Sequence, residues 1–104
     1  MAGSPNKNKF SGKTIVVTGG AGSIGSELVR QLLYADAKRI IIVDTNESGL
    51  FYLKENIESI NNKIPVSYYI ADIRDRARLE QILSGSDIIF HAAALKHVPL
   101  CESN

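Results

Sequence analysis

The stretch Ile15-Val16-Val17-Thr18-Gly19-Gly20-Ala21-Gly22-Ser23-Ile24-Gly25-Ser26-Glu27-Leu28 passes from an apolar run through a glycine turn into a helical pattern with almost no spare residues. Residues 14–17 are short and β-branched, as a strand buried on both faces should be. Beyond the turn, Ile24, Leu28 and Leu32 recur every four positions with Val29 and Leu33 beside them, which predicts one buried helix face. Gly19, Gly20 and Gly22 take Cβ atoms out of the turn, so that an anion could reach the free N–H groups at the positive end of the helix dipole. Gly25 predicts close packing of helix on strand. A glycine turn can serve only to reverse the chain. Here the spacings Gly20-x-Gly22-x-x-Gly25 and Gly19-x-x-Gly22-x-x-Gly25 have a strand before them and a helix after, the context a dinucleotide phosphate cradle requires.

A second buried run, Ile40-Ile41-Ile42-Val43, ends in Asp44, nineteen residues beyond Gly25. At that distance an acidic residue accepts hydrogen bonds from the adenosine ribose hydroxyls. Its carboxylate would repel a 2′-phosphate, and no arginine immediately follows to compensate, so NAD is favoured over NADP. Asp44 could instead cap a helix, but Asn46 is better placed for that. A helix is predicted over residues 47–60, with Leu50, Leu53, Ile57 and Ile60 on its buried face and Asn61-Asn62 as its stop. Pro65 leads into a third strand, residues 66–71. Asp72-Ile73-Arg74-Asp75 follows, where an acidic residue could reach an adenine amino group or cap the short helix of residues 76–83. Residues 87–91 give a fourth strand. Strands alternating with helices predict an α/β fold, a Rossmann-type doubly wound parallel sheet of order 3-2-1-4.

The fourth strand runs into His91-Ala92-Ala93-Ala94-Leu95-Lys96-His97-Val98-Pro99. Ligands of open α/β sheets lie at the carboxyl ends of strands, so Lys96 and His97 are candidates to face a substrate phosphate or sugar. The two histidines, six residues apart with one cysteine nearby, make a poor metal site, and none is expected.

Composition excludes other classes. A net charge of +1 leaves no basic surface for nucleic acid, and no apolar run is long enough to span a bilayer. Cys101 is alone, which makes a reducing cytoplasm the default. Residues 1–10 read as a disordered tail or an artificial leader, and 11–104 as one folded unit. Gly12-Lys13-Thr14 resembles the end of a Walker loop but precedes its strand and lacks the earlier glycine.

Thr18 to Leu28, Ala71-Asp72-Ile73-Arg74-Asp75 and above all His91 to Leu100 resemble the extended short-chain dehydrogenase/reductases. The likeness is strongest to their polysaccharide-biosynthesis branch, which contains UDP-N-acetylglucosamine 4,6-dehydratases and related nucleotide-sugar epimerases. It extends over nearly all of residues 11–104. By position it implies that Gly19, Gly22, Ser23, Ile24 and Gly25 hold pyrophosphate, Asp44 the ribose, and Asp72 with Ile73 the adenine. Ala92, Ala93 and Ala94 would line an NAD or NADP cofactor, and Lys96 would lie near the substrate. Dehydratase is preferred to 4-epimerase; a non-catalytic nucleotide-binding module is the third reading. The family's proton-transfer residues lie beyond the fourth strand. Catalytic residues are therefore expected only beyond Asn104, none within residues 1–104, and this chain alone is expected to be inactive. Tyr34 and Lys38 have a familiar catalytic spacing, but a helix of a dozen residues would hold them roughly 15–20 Å from the glycine turn. A homo-oligomer is expected, with the edge of the fourth strand (Ile88, Ile89, Phe90) pairing with another copy. The parent could be membrane-tethered by a segment outside these residues.

Overall fold

The computed structural model describes residues 9–60 and 63–92. Its elements are β1 (Thr14–Thr18), α1 (Ser23–Leu32), β2 (Arg39–Asp44), α2 (Glu47–Ile60), β3 (Val66–Ile70), α3 (Arg76–Leu83) and β4 (Ile88–His91). The four strands form one parallel sheet of order β3-β2-β1-β4, as the alternation of strands and helices predicts. Parallel pairing brings the strand ends into line: Thr18 stands opposite Val43 and His91, and Asp44 opposite Ile70. The four strand ends therefore line up along one rim.

The central strands carry the core because both their faces are covered. Ile15, Val17, Ile40 and Ile42 pack with Val29 and Leu32 of α1 and Leu50, Leu53 and Ile57 of α2. Val16, Ile41 and Val43 point the other way, onto Ala71 and Ile82 of α3. A β-branched residue at almost every position fits strands with no solvent face. At the opposite end of the sheet, Asp87 is not a strand residue: its Oδ2 accepts from the Thr14 N–H at 2.8 Å and ties β1 to β4.

β3 ends at Ile70, one residue short of the expected strand, and three further expectations fail. The buried stripe of α1 is Gly25, Val29 and Leu32, whereas Ile24 is 41% exposed. Backbone contact at Gly25 turns that face toward the sheet and leaves Ile24 at the rim. Ile60, grouped with the buried face of α2, is 50% exposed, because it lies in the last turn beyond Ile57. Phe10, assigned to the tail, packs on the core and meets Phe90 edge-to-face with ring centroids 6.0 Å apart. Asn61 and Asn62, and residues 1–8 of the tail, lie outside the described residues. Among the described residues no helix is long and apolar enough to cross a membrane.

These burial differences set unequal costs for truncation. Ile57→Ala should lower stability by about 2–5 kcal/mol as a core cavity, and Ile60→Ala by no more than about 0.5 kcal/mol. Urea unfolding of both variants checks this, and equal losses would contradict the assignment of the α2 face.

Candidate functional site

The glycine turn is held to β2 before any ligand is considered. The N–H groups of Gly19 and Gly20 both donate to the Val43 carbonyl, at 2.7 and 3.3 Å. Gly19 sits at φ +72°, a conformation most side chains avoid. The other glycines divide by what their missing Cβ atoms would strike. At Gly20 a Cβ would collide with Ile42 Cγ2, so the core alone already requires a glycine here. At Gly25 it would collide with the Gly19 carbonyl oxygen and lie 2.7 Å from Gly20 Cα. Only a glycine allows α1 to rest directly on the turn.

That contact fixes where the N-terminus of α1 points. Gly22 is the N-cap, at φ −75° and ψ 172°, and offers no side-chain cap; the first turn holds no acidic residue. The Ser26 N–H closes the first helical bond onto Gly22 O at 2.8 Å. The N–H groups ahead of it have no intrahelical acceptor. The other helices differ. Asn46 Oδ1 accepts from the Gly49 N–H at 2.9 Å and caps α2, while Asp75 accepts from the Arg78 N–H and caps α3. A helix terminus left open behind a glycine turn, with a favourable dipole, suits an anion.

Asp44 joins the turn to the start of α2. Its Oδ2 accepts from the Ala21 N–H and its Oδ1 from the Asn46 N–H, both at 2.9 Å. It does not cap α2. Each carboxylate oxygen keeps capacity for a further donor. Gly49, to which the sequence assigns no role, lets this turn close up: a Cβ there would stand 2.8 Å from Asn46 Nδ2 and 3.0 Å from Ala21 Cβ.

Beyond Asp44 lies a cleft of about 260 Å³ lined by Gly19, Val43, Asp44, Thr45, Ala71, Asp72, Ile73 and Arg74. Asp72, for which helix capping and adenine contact were both open, is not a cap, because Asp75 fills that position. Asp72 instead accepts from Arg74: from its N–H at 2.8 Å, from Nε at 3.1 Å and from Nη2 at 2.7 Å. Those bonds hold its carboxyl down at about 2, well below the usual carboxylate range. Ile73 adds an apolar surface that is 44% exposed at the mouth.

On the β4 side, the buried Thr18 hydroxyl lies 3.0 Å from His91 Nδ1 and 3.4 Å from the Phe90 carbonyl oxygen, and Ala92 is fully buried. Gly19, Gly22, Asp44, Asp72, Ile73 and Ala92 thus fall on the carboxyl rim of the sheet or just beyond it, and Ser23, Ile24 and Gly25 in the first turn of α1 that follows. Ala93, Ala94, Lys96 and His97 lie outside the described residues, as does Asn104, beyond which the catalytic residues are expected. Among the described residues no group of three His, Cys, Asp or Glu side chains could hold a metal ion. Tyr34 follows the end of α1 and is 76% exposed, away from the glycine turn.

The geometry sets two expectations. Gly25→Ala should cost about 1–3 kcal/mol through overpacking against the turn, whereas Gly22 has backbone angles that need no glycine, so Gly22→Ala should cost less. Thermal unfolding of both variants distinguishes them, and equal stability would contradict the packing at Gly25. For Asp72, a depressed folded pKa means that the pair with Arg74 contributes above the ordinary carboxylate range and is lost as pH falls through about 2. Carboxyl NMR titration should place its midpoint below the ordinary carboxylate range, and Arg74→Ala should raise it part of the way back, because the backbone N–H of residue 74 still donates to Oδ1. A normal midpoint in the unsubstituted protein would contradict the pairing.

Residues 15–104 match the family described as polysaccharide biosynthesis proteins. An uncharacterized membrane protein of Methanocaldococcus jannaschii is 47% identical over 97 residues, covering 93% of this chain and 28% of that protein. The inverting UDP-N-acetylglucosamine 4,6-dehydratase of Campylobacter jejuni strain 81-176 is 40% identical over 96 residues, covering 91% of this chain and 28% of the relative. Among solved structures, Pen from Bacillus thuringiensis superposes with a TM-score of 0.75 at 33% identity, over 91% of this chain and 29% of Pen. WbmF of Bordetella bronchiseptica, solved with NAD+ and UDP, gives 0.59 at 25% identity, over 80% of this chain and 23% of WbmF. The chain thus spans less than a third of the length of these proteins. With residues 15–104 matching that family and a sheet that superposes on a solved relative, it belongs to the polysaccharide biosynthesis branch of the extended short-chain dehydrogenase/reductases, as an N-terminal portion with a Rossmann-type fold.

Proposed function

We propose that this chain is the NAD(P)-binding portion of a nucleotide-sugar 4,6-dehydratase that acts on UDP-N-acetylglucosamine in polysaccharide or glycan biosynthesis. The observation that carries the reading is the uncapped N-terminus of α1, set by Gly25 against the glycine turn and opening beside the cleft of Asp44 and Asp72. The residues fit a dinucleotide. Gly19, Gly22, Ser23, Ile24 and Gly25 would hold the pyrophosphate, with the N–H groups of Ser23, Ile24 and Gly25 donating to it because those of Gly19 and Gly22 already donate to carbonyls, and Asp44 would take the ribose hydroxyls on its spare lone pairs. Asp72 and Ile73 would border the adenine, and Ala92, Ala93 and Ala94 would let the cofactor pass over β4. Lys96 and His97 are proposed to face the sugar nucleotide. NAD is favoured over NADP, because the carboxylate of Asp44 opposes a 2′-phosphate.

When bound, a nicotinamide supplies reversible hydride transfer. The chain's own residues bind and orient it; the groups that move protons and close over the sugar are proposed to come from beyond Asn104, in other parts of a longer protein. The name of the Campylobacter jejuni relative supports the dehydratase, and the NAD+ and UDP bound by WbmF support the choice of cofactor and substrate class. A nucleotide cofactor and a nucleotide sugar together favour the cytoplasm as the place of reaction. Self-association through β4 is proposed as well, since Ile89 is 40% exposed there.

Incubating the longer protein with UDP-N-acetylglucosamine and NAD should yield a 4-keto product that has lost water. Inversion at carbon 4 without loss of water would replace dehydratase by 4-epimerase, and neither product would favour a non-catalytic binding module. The 104-residue chain alone should give no product, since several acid–base groups worth about 10²–10⁴-fold each would be missing. Gly22→Val should abolish cofactor binding with little loss of stability. Undiminished binding would move the cradle elsewhere.

A further inference from the structure

Arg74 follows Asp44 by thirty residues, yet both line the same cleft. Parallel pairing of β2 with β3 sets Asp44 opposite Ile70, so the loop after β3 runs past the end of β2. The two charges are held differently. Asp44 is fixed, with Oδ1 and Oδ2 each on a backbone N–H. Among the described residues, Arg74 is tethered by Asp72 alone, with Nε 3.1 Å from both carboxylate oxygens and Nη2 2.7 Å from Oδ2. The guanidinium side chain is 88% exposed. Such a pair is screened by salt and opens at little cost. A guanidinium fork also fits phosphate as well as carboxylate. Asp72 is therefore an internal competitor for the one cation beside the cleft among the residues that line it.

Resting on the dinucleotide reading above, we propose that Arg74 is a specificity-determining residue: held by Asp72 it leaves Asp44 to select NAD, and released from Asp72 it receives the 2′-phosphate of NADP. The cleft thus combines two carboxylates, Asp44 and Asp72, with one movable positive charge. Cofactor preference depends on where the movable one rests.

Calorimetric binding of NAD and NADP to the longer protein tests this, read as the ratio of the two affinities. The cofactors share adenine, ribose and pyrophosphate, so general damage to the cleft cancels in that ratio. Asp72→Asn should raise NADP relative to NAD by about fivefold, and the gain should shrink at high salt. Adding Arg74→Ala should remove the gain, and Arg74→Glu alone should lower the ratio below that of the unsubstituted protein. An unchanged ratio in Asp72→Asn, or a gain that survives loss of Arg74, would overturn the proposal while leaving the dinucleotide site intact. Binding of neither cofactor to the unsubstituted protein would overturn the dinucleotide reading and this inference with it.

Discussion

The contact between Gly25 and the Gly19 carbonyl is the constraint on which the rest of the site depends. With no Cβ at Gly25, α1 lies against the turn that leaves β1, and its first N–H groups are aimed across the rim of the sheet. A bulkier residue would lift the helix and separate its dipole from the cleft. The turn cannot retreat to make room, because Gly19 and Gly20 are bonded to the end of β2 and Gly20 lies against Ile42. Core packing on one side and the helix on the other leave this loop a single place to be.

Asp44 extends the same logic to the neighbouring strand. By accepting from Ala21 and Asn46 it fastens the glycine turn to the start of α2, whose own terminus is satisfied by Asn46. One helix terminus is left open and the other closed, and the open one adjoins the cleft. Preorganisation of this kind matters for an anion, since backbone N–H groups already fixed in place need no ordering when the ligand arrives. On the far side, the Thr18 hydroxyl ties the ends of β1 and β4 together, so that Ala92 follows a fixed path.

Much of this was legible in the sequence. Continuous β-branched runs marked β1 and β2 because strands covered on both faces need no polar alternation, and α2 spans residues 47–60 as its periodicity indicates. Asn46 was identifiable as a cap from its place ahead of Glu47. What escaped were contacts between segments distant in sequence. Gly20 looked like a ligand glycine, but Ile42 constrains it as well; Gly49 gave no signal within its helix, where it closes against both Asn46 and the distant Ala21. Phe10 looked like tail because its partner, Phe90, is eighty residues away. Arg74 was missed for the same reason. Its closeness to Asp44 follows from strand register, and only aligning Asp44 with Ile70 would have revealed it.

The central claim is that a dinucleotide lies across the N-terminus of α1 and into the cleft of Asp44 and Asp72. Amide NMR shifts during an NAD titration of the 104-residue chain address it most directly, since each N–H reports its own surroundings. The largest changes should fall on Gly22, Ser23, Ile24 and Gly25, with a second group at Thr45, Ile73 and Arg74. Changes centred instead on the open depression of about 690 Å³ beside Phe51 and Tyr52, with the α1 terminus unmoved, would contradict it.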